Sequence, residues 1–479
     1  MRSRGFPAVA LLGLALAPSL APASELEERL DAALRAPGLR GARLAALVVD
    51  LEGGGVLYAR DPDRALVPAS NQKVLTAIAA LSVLGPAHRF TTEVYAAARP
   101  DAEGAVAELA IRGGGDPALT SEEVWRLAAD LRRIGVRRVR GGLLLDDSAF
   151  DRERWHPSWG PVSARAYHAP VGALGVNYGA YAVTATPGAR PGEPVHVEVD
   201  PAIAYFPIVN RARTGPSRAA PALEIDRAHG AGFEQVTVVG TLPAGSGPKT
   251  AYRSVLDPLG YAGALLRMQL EANGIRVEGD ARRGLVPEGA TLLLAFEGRP
   301  LAEIVRLFVK HSNNAIAEGL LKALAAHAGA RPASWEQGLA VVRRELKALG
   351  LPVEGAALVD GSGLSTENRV PPRLFVEALR LAHRSFRFGP EFVAALPIGA
   401  ADGTLEKRAE EAGAAVRAKT GLLTGVTGLS GYARLGDGRV AAFSVLANGY
   451  RGSAEAAMSG IDRFAAALVG ENATRAMAR

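Results

Sequence analysis

No cysteine occurs among the 479 residues, so disulfides and thiolate-ligated metals are both excluded and the fold must be held by packing. Histidine is sparse as well. The eight histidines form no His-Glu-x-x-His or other close ligand pair, and no Gly-x-Ser-x-Gly elbow is present, which removes support for zincin and α/β-hydrolase chemistry. Beyond the first residues there is no run of ~18 or more apolar residues of the kind a membrane-spanning helix needs. The formal charge of +6 is modest, spread along the chain and free of any basic-aromatic cluster, so a nucleic-acid partner is not expected.

The most informative scarcity is lysine. Only seven of the 55 basic residues are lysines, so arginine serves almost wherever a positive charge suffices. Arginine cannot release its proton near neutral pH, whereas lysine can be tuned by burial and neighbours into a base. A lysine in this chain therefore calls for a reason.

Arg2 and Arg4, the apolar stretch from Phe6 to Leu20 and then Ala21-Pro22-Ala23 have the order of a secretory signal peptide over residues 1–23. Export to the periplasm or another extracytoplasmic part of the envelope is the expectation, with no transmembrane anchor. The length exceeds one ordinary core at roughly 150 residues per domain. Two strands, Ala42–Asp50 and Val56–Arg60, precede a helical pattern from Asn71 to Leu84 in which Val74, Leu75, Ile78, Leu81 and Leu84 recur on one face. Short alternating stretches then dominate, punctuated by glycine and proline, up to about residue 251. Helical periodicity returns at Leu259–Asn273, Leu301–Ala326, Trp335–Leu349 and Arg373–His383, ahead of three strands and a last helix at Ala454–Val469. The expected organisation is an α/β fold, an antiparallel sheet flanked by helices, over residues 24–90 and 252–479. A long β-rich accessory region, residues 91–251, splits it.

Ser70 and Lys73 open the Asn71–Leu84 helix with i, i+3 spacing, which puts both side chains on one face. A nucleophilic serine needs a base within hydrogen-bond reach, and a helix N-terminus offers unpaired N–H groups to a developing anion. Alone, the same residues read equally well as a capping serine and a surface lysine. The pattern recurs at Ser246-Gly247-Pro248-Lys249, where Gly-Pro cannot build the helical turn that would bring the two side chains together. Two further elements follow: Ser312-Asn313-Asn314 in a helical stretch, where three polar residues read alone as a loop between helices, and Lys419-Thr420-Gly421-Leu422 at the end of a strand. Each is weak by itself. Together they give Ser-x-x-Lys, Ser-x-Asn and Lys-Thr-Gly in order, with two of the seven lysines on required positions.

With these motifs the chain resembles the penicilloyl-serine transferases, and more closely the penicillin-binding protein 4-like, low-molecular-mass class C family of D-alanyl-D-alanine carboxypeptidases and endopeptidases. The resemblance extends through Gly113-Gly114-Gly115-Asp116-Pro117, Asp146-Asp147-Ser148, Tyr167-His168-Ala169-Pro170, Asp360-Gly361-Ser362-Gly363-Leu364-Ser365 and Asp402-Gly403-Thr404-Leu405. It implies a β-lactamase/transpeptidase-like fold and serine-type cleavage of peptidoglycan stem peptides through an acyl-serine, blocked by β-lactam antibiotics, with no cofactor and no metal. Ser70 would be the nucleophile, Lys73 its base and Ser312 a relay toward the leaving group. Asn314 would hold the substrate amide, Lys419 and Thr420 the terminal carboxylate, and Ser70 and Leu422 N–H the oxyanion, with Gly421 in the same strand. Many members carry an arginine just after Gly-Ser-Gly-Leu-Ser and an aspartate before Tyr-x-Ala-Pro, a pair that meets the charged end of diaminopimelate. Thr366 and Val162 stand at those positions here, so the resemblance does not extend to diaminopimelate selectivity.

Two other classes share parts of this pattern. A β-lactamase-like hydrolase has the same acyl-serine chemistry, but its first two motifs lie closer than the 239 residues separating Lys73 from Ser312. A non-catalytic wall-binding protein would have no need of the intact serines and lysines.

Overall fold

The computed structural model describes residues 25–470; the expected signal sequence, 1–23, lies outside them. Five antiparallel strands form the central sheet: β1 (Arg43–Asp50), β2 (Val56–Arg60), β3 (Val416–Leu423), β4 (Val426–Arg434) and β5 (Val440–Asn448), in the order β3-β4-β5-β1-β2. Residues from both ends of the chain thus share one sheet. Successive side chains of a strand point to opposite faces, and here both faces are covered. Ala45, Leu47 and Val49 enter one apolar cluster with the central helices, while Leu44, Ala46 and Val48 enter another with the N- and C-terminal helices, Glu25–Leu34 and Ala454–Val469. That is why β1 reads as a continuous apolar run instead of an alternating one.

Beneath the sheet lies α1 (Gln72–Leu84), preceded by a short 3₁₀ turn over Ala69–Asn71. Its buried residues cover every side of the helix, from Gln72 to Ser82, as expected of a helix enclosed by others. It packs against α2 (Leu301–His311), α3 (Asn314–His327) and the helices Trp335–Ala348 and Pro372–Arg384. The single helical run expected over Leu301–Ala326 is two helices. Ser312 adopts a left-handed conformation (φ 58°) that caps α2, and the Asn313 side chain accepts from Ile316 N–H to start α3.

Between α1 and α2 the chain builds a second core of its own. Its largest sheet has five strands and pairs Arg89–Ala96 with Thr291–Pro300, so the chain leaves and re-enters the central domain through neighbouring strands. The segment 252–300, expected to belong to the split domain, packs instead into this second core, where the helix Pro258–Ala272 lies on Ser121–Arg133. Its 3.6-residue periodicity reports only that the helix buries one face, not which core receives it. We propose that the accessory region runs from about Arg89 to Pro300. The Ser246-to-Lys249 copy lies in it as a loop leading into the strand Lys249–Ser254.

Candidate active site

Ser70 sits in the 3₁₀ turn that feeds α1, and the turn is sharp. Ala69, fully buried, holds a φ of 47°, a left-handed conformation that costs a non-glycine residue on the order of 1–3 kcal/mol unless its surroundings enforce it. They do so closely: a Cβ on Gly363 would lie 1.8 Å from Ala69 O, and one on Gly421 would lie 2.4 Å from Asn71 Nδ2 and 2.6 Å from Pro68 O. Two glycines, one from the Asp360–Ser365 turn and one from β3, let backbone close on both sides of the serine.

Lys73 follows one turn later, entirely buried, and its Nζ has three acceptors: Ser70 Oγ at 3.1 Å, Asn314 Oδ1 at 2.7 Å and Ser362 O at 2.7 Å. Burial pushes its ammonium down to about 7, against the opposing pull of Asp360 and Glu318. Asn314 is fixed at its other end, where Nδ2 donates to Tyr167 O at 3.0 Å, so its oxygen is the atom that faces Lys73.

The third group comes from the sheet edge. Lys419 on β3 is fully buried and donates to Ser312 Oγ at 2.9 Å and to Thr420 O at 2.8 Å. Burial, then Lys73, then Arg408 drive its proton affinity well below the ordinary lysine range. The Thr420 hydroxyl donates to Thr404 Oγ1 at 2.8 Å. Thr404 stands in the Asp402–Leu405 turn, which Lys310 holds through Asp402 Oδ2 and Leu396 O, both at 2.7 Å.

β3 is an outer strand, and its free side can be read from two bonds: Ala418 N–H donates to Pro397 O, and Val416 O accepts from Gly399 N–H. Backbone groups of alternate residues face the same way, and the pairing with β4 is regular from Val416 to Leu423. The N–H groups of Thr420 and Leu422 therefore face away from β4, toward the site.

All the residues singled out in the three motifs converge. Asn314, expected to hold a substrate amide, is in this state bonded to Lys73 and Tyr167. The stretches Asp360–Ser365 and Tyr167–Pro170 stood out only through the family resemblance, with no sign of their contacts to Lys73 and Asn314, and Glu318 did not stand out at all. Lysine scarcity did carry a further signal. Lys310 and Lys322 join Lys73 and Lys419 as buried lysines, so four of the seven are enclosed, each with carboxylate, hydroxyl or carbonyl partners. Lys322 Nζ binds Asp151 Oδ1 and Glu153 O, each at 2.6 Å, and lies 3.5 Å above the Trp335 ring, locking the accessory region onto α3.

Residues 26–468 match the model of the D-Ala-D-Ala carboxypeptidase 3 (S13) family. A D-alanyl-D-alanine carboxypeptidase of Actinomadura sp. (strain R39) is 40% identical over 475 residues, covering 94% of this chain and 87% of its own. The D-alanyl-D-alanine carboxypeptidase DacB of Haemophilus influenzae is 29% identical, covering 80% and 81%. The crystal structure of penicillin binding protein 4 from H. influenzae superposes with a TM-score of 0.78 at 26% identity, covering 92% of this chain and 98% of that one. The same protein in complex with a β-lactam gives 0.74 over the same coverage.

Proposed function

We propose, on the premise that the chain belongs to the D-Ala-D-Ala carboxypeptidase 3 (S13) family, that Ser70 is the acylated nucleophile and Lys73 its base. The enzyme is a penicillin-binding, serine-type D-alanyl-D-alanine carboxypeptidase. One observation carries the residue assignment: the buried Lys73 amine, 3.1 Å from Ser70 Oγ, titrates near neutrality and so can be unprotonated when the reaction needs it.

In the proposed cycle, neutral Lys73 takes the Ser70 proton as Oγ attacks the carbonyl of the penultimate D-alanine. The tetrahedral oxyanion is met by the N–H groups of Ser70 and Leu422; such donors are commonly worth roughly 3–4 kcal/mol each in the transition state. Ser312, hydrogen-bonded to Lys419, relays to the departing amine of the terminal D-alanine the proton that Lys73 took from Ser70, which leaves Lys73 neutral. Water then attacks the acyl-serine, giving its proton to Lys73, which returns it to Ser70 Oγ as the acyl group leaves. Lys419 and Thr420 bind the free terminal carboxylate. A substrate strand laid along β3 would be held by the outward N–H groups of that edge, a mode of binding in which backbone gives affinity and side-chain pockets give choice.

The substrate class is the D-alanyl-D-alanine end of peptidoglycan stem peptides, reached after export behind the signal-like residues 1–23. Among the described residues no helix is long and apolar enough to cross a membrane. Release of D-alanine from a synthetic D-alanyl-D-alanine peptide tests this reading: wild type should release it and Ser70→Ala should not. Equal release by both proteins would refute it.

A further inference from the structure

A neutral amine has two protons and one lone pair, so a lysine that is to act as a base must have its lone pair aimed. Around Lys73 Nζ the two shorter contacts, Asn314 Oδ1 and Ser362 O at 2.7 Å, are pure acceptors that engage the two protons, while Ser70 Oγ at 3.1 Å is left facing the lone pair. The orientation of the base therefore depends on what fixes those two oxygens. Asn314 is fixed by Tyr167 O and by its place at the start of α3.

Ser362 O belongs to a turn that carries no regular secondary structure, yet every peptide in it is gripped. Glu318 lies one turn beyond Asn314 on α3, with no exposed surface. Its Oε1 accepts Ser362 N–H at 2.7 Å; its Oε2 accepts Gly361 N–H at 3.2 Å and Trp335 Nε1 at 2.9 Å. The Thr76 hydroxyl, one turn beyond Lys73 on α1, donates to Gly361 O at 2.7 Å, and Asp360 Oδ1 accepts Gly363 N–H at 2.7 Å. Three N–H groups donate to Glu318 and the Ser362 hydroxyl bonds it as well, a set of contacts that an ionised, acceptor-only carboxylate satisfies in full.

We propose that Glu318 is a positioning residue for the base: by holding the 360–363 turn from α3, it sets the Ser362 carbonyl that, with Asn314 on the same helix, aims the Lys73 lone pair at Ser70. The inference rests on the reading of Lys73 as base. A carboxylate so placed also acts through its charge. Burial and then Asp360 push Glu318 up to about 7, while the Ser362 hydroxyl and the N–H groups of Gly361 and Ser362 oppose the rise. Lys73 from α1, Asp360 from the turn, and Lys322 with its partner Asp151 one helical turn further along α3 are the charged groups around it, with His156 against the far side of Trp335. Glu318 and Asp360 both favour the protonated Lys73.

The test is the second-order rate of acylation by a fluorescent penicillin, measured from pH 5 to 10 on the full chain, with thermal unfolding followed in parallel. Glu318→Gln keeps the shape but turns an amide N–H₂ toward donors and removes the charge. It should acylate about ten- to a hundredfold more slowly on its plateau, and its acid limb should move about one unit lower, because Lys73 then loses its proton more readily. Glu318→Asp keeps the charge but shortens the reach, so its rate should fall while the acid limb stays in place; it carries the test if the glutamine variant does not fold. A limb at the wild-type pH in a folded Glu318→Gln, or wild-type rates in Glu318→Asp, would overturn the proposal. Failure of wild type itself to acylate at Ser70 would instead refute the underlying reading of the site.

Discussion

Lys419 Nζ donates to Ser312 Oγ at 2.9 Å, tying a lysine of the sheet edge to a serine held in the left-handed break between two helices. The contact joins parts of the chain 107 residues apart and gives each lysine its own serine: Lys73 serves Ser70, and Lys419 serves Ser312. Both lysines are buried and both lie below their ordinary proton affinity, each partly because burial disfavours charge.

That pairing sets the pH profile. In the proposed cycle Lys73 must be neutral to accept a proton, so acylation should rise with pH through about 7 and level off above it. As the proposed holder of the terminal carboxylate Lys419 must be charged, and its proton affinity lies well below the usual lysine range, so turnover of carboxylate-terminated peptides should fall again at a pH below that range. Bound carboxylate favours the charged lysine and moves this second limb upward. Rates of D-alanine release between pH 5 and 11, taken as kcat and kcat/KM, give both limbs; an acid limb near the pKa of a carboxylate would contradict the assignment of Lys73.

Lys73→Arg should be nearly as damaging as Lys73→Ala. A guanidinium keeps the charge but cannot accept the Ser70 proton, and a positioned base is worth about 10²–10⁴ in rate. Acylation rates of the two variants with the same penicillin should agree within about tenfold; near wild-type acylation by the arginine variant would make Lys73 an electrostatic neighbour only.

Thr420→Val removes the hydroxyl that stands between Thr404 and the proposed carboxylate site. A hydrogen bond to a charged group contributes about 1.5–3 kcal/mol, so kcat/KM on D-alanyl-D-alanine peptides should fall roughly ten- to a hundredfold. On a peptide whose terminal carboxylate is amidated the loss should be small. Equal losses on both peptides would place the hydroxyl outside carboxylate recognition.

Gly421→Ala should damage both stability and acylation, since the added Cβ would press on Asn71 Nδ2 and Pro68 O beside the nucleophile. Overpacking of this kind costs about 1–3 kcal/mol, seen as a lower unfolding midpoint in denaturant. An unchanged midpoint with wild-type acylation would mean that the Pro68–Asn71 turn can move aside freely.

The stem-peptide side chain is tested at Thr366, which is exposed on the turn after Ser365. An arginine paired with a carboxylate there would supply about 1.5–3 kcal/mol of discrimination, or roughly one to two decades. Without it, diaminopimelate and lysine peptides should be turned over with similar kcat/KM. A wild-type preference for diaminopimelate of about a hundredfold, unchanged in Thr366→Arg, would show that another residue reads the side chain.

Much of this proposed site was legible in the sequence because helices and strands impose fixed spacings: three residues apart, Ser70 in the 3₁₀ turn and Lys73 in α1 still bring their side chains together. The strand expected at Ala42–Asp50 was legible as an apolar run and begins one residue later, at Arg43, while the strand expected at Ala415–Lys419 runs on from Val416 to Leu423. Glu318 was not legible. It lies between Ala317 and Gly319 on the buried stretch of α3, and the role proposed for it depends on the 360–363 turn, which no local pattern brings to it. The accessory boundary was hidden for a related reason, since the helix Pro258–Ala272 has the same periodicity whichever core it covers. The break at Ser312 was legible in part: Ser312, Asn313 and Asn314 read alone as a loop between helices, although they interrupt the apolar periodicity of Leu301–Ala326 for less than one turn.

The most direct measurement is mass spectrometry of the peptide modified when the purified protein reacts with penicillin. Acylation of Ser70 by way of Lys73 predicts one penicilloyl adduct on Ser70, lost in Ser70→Ala. An adduct on any other residue of wild type, or full labelling of Ser70→Ala, would contradict it.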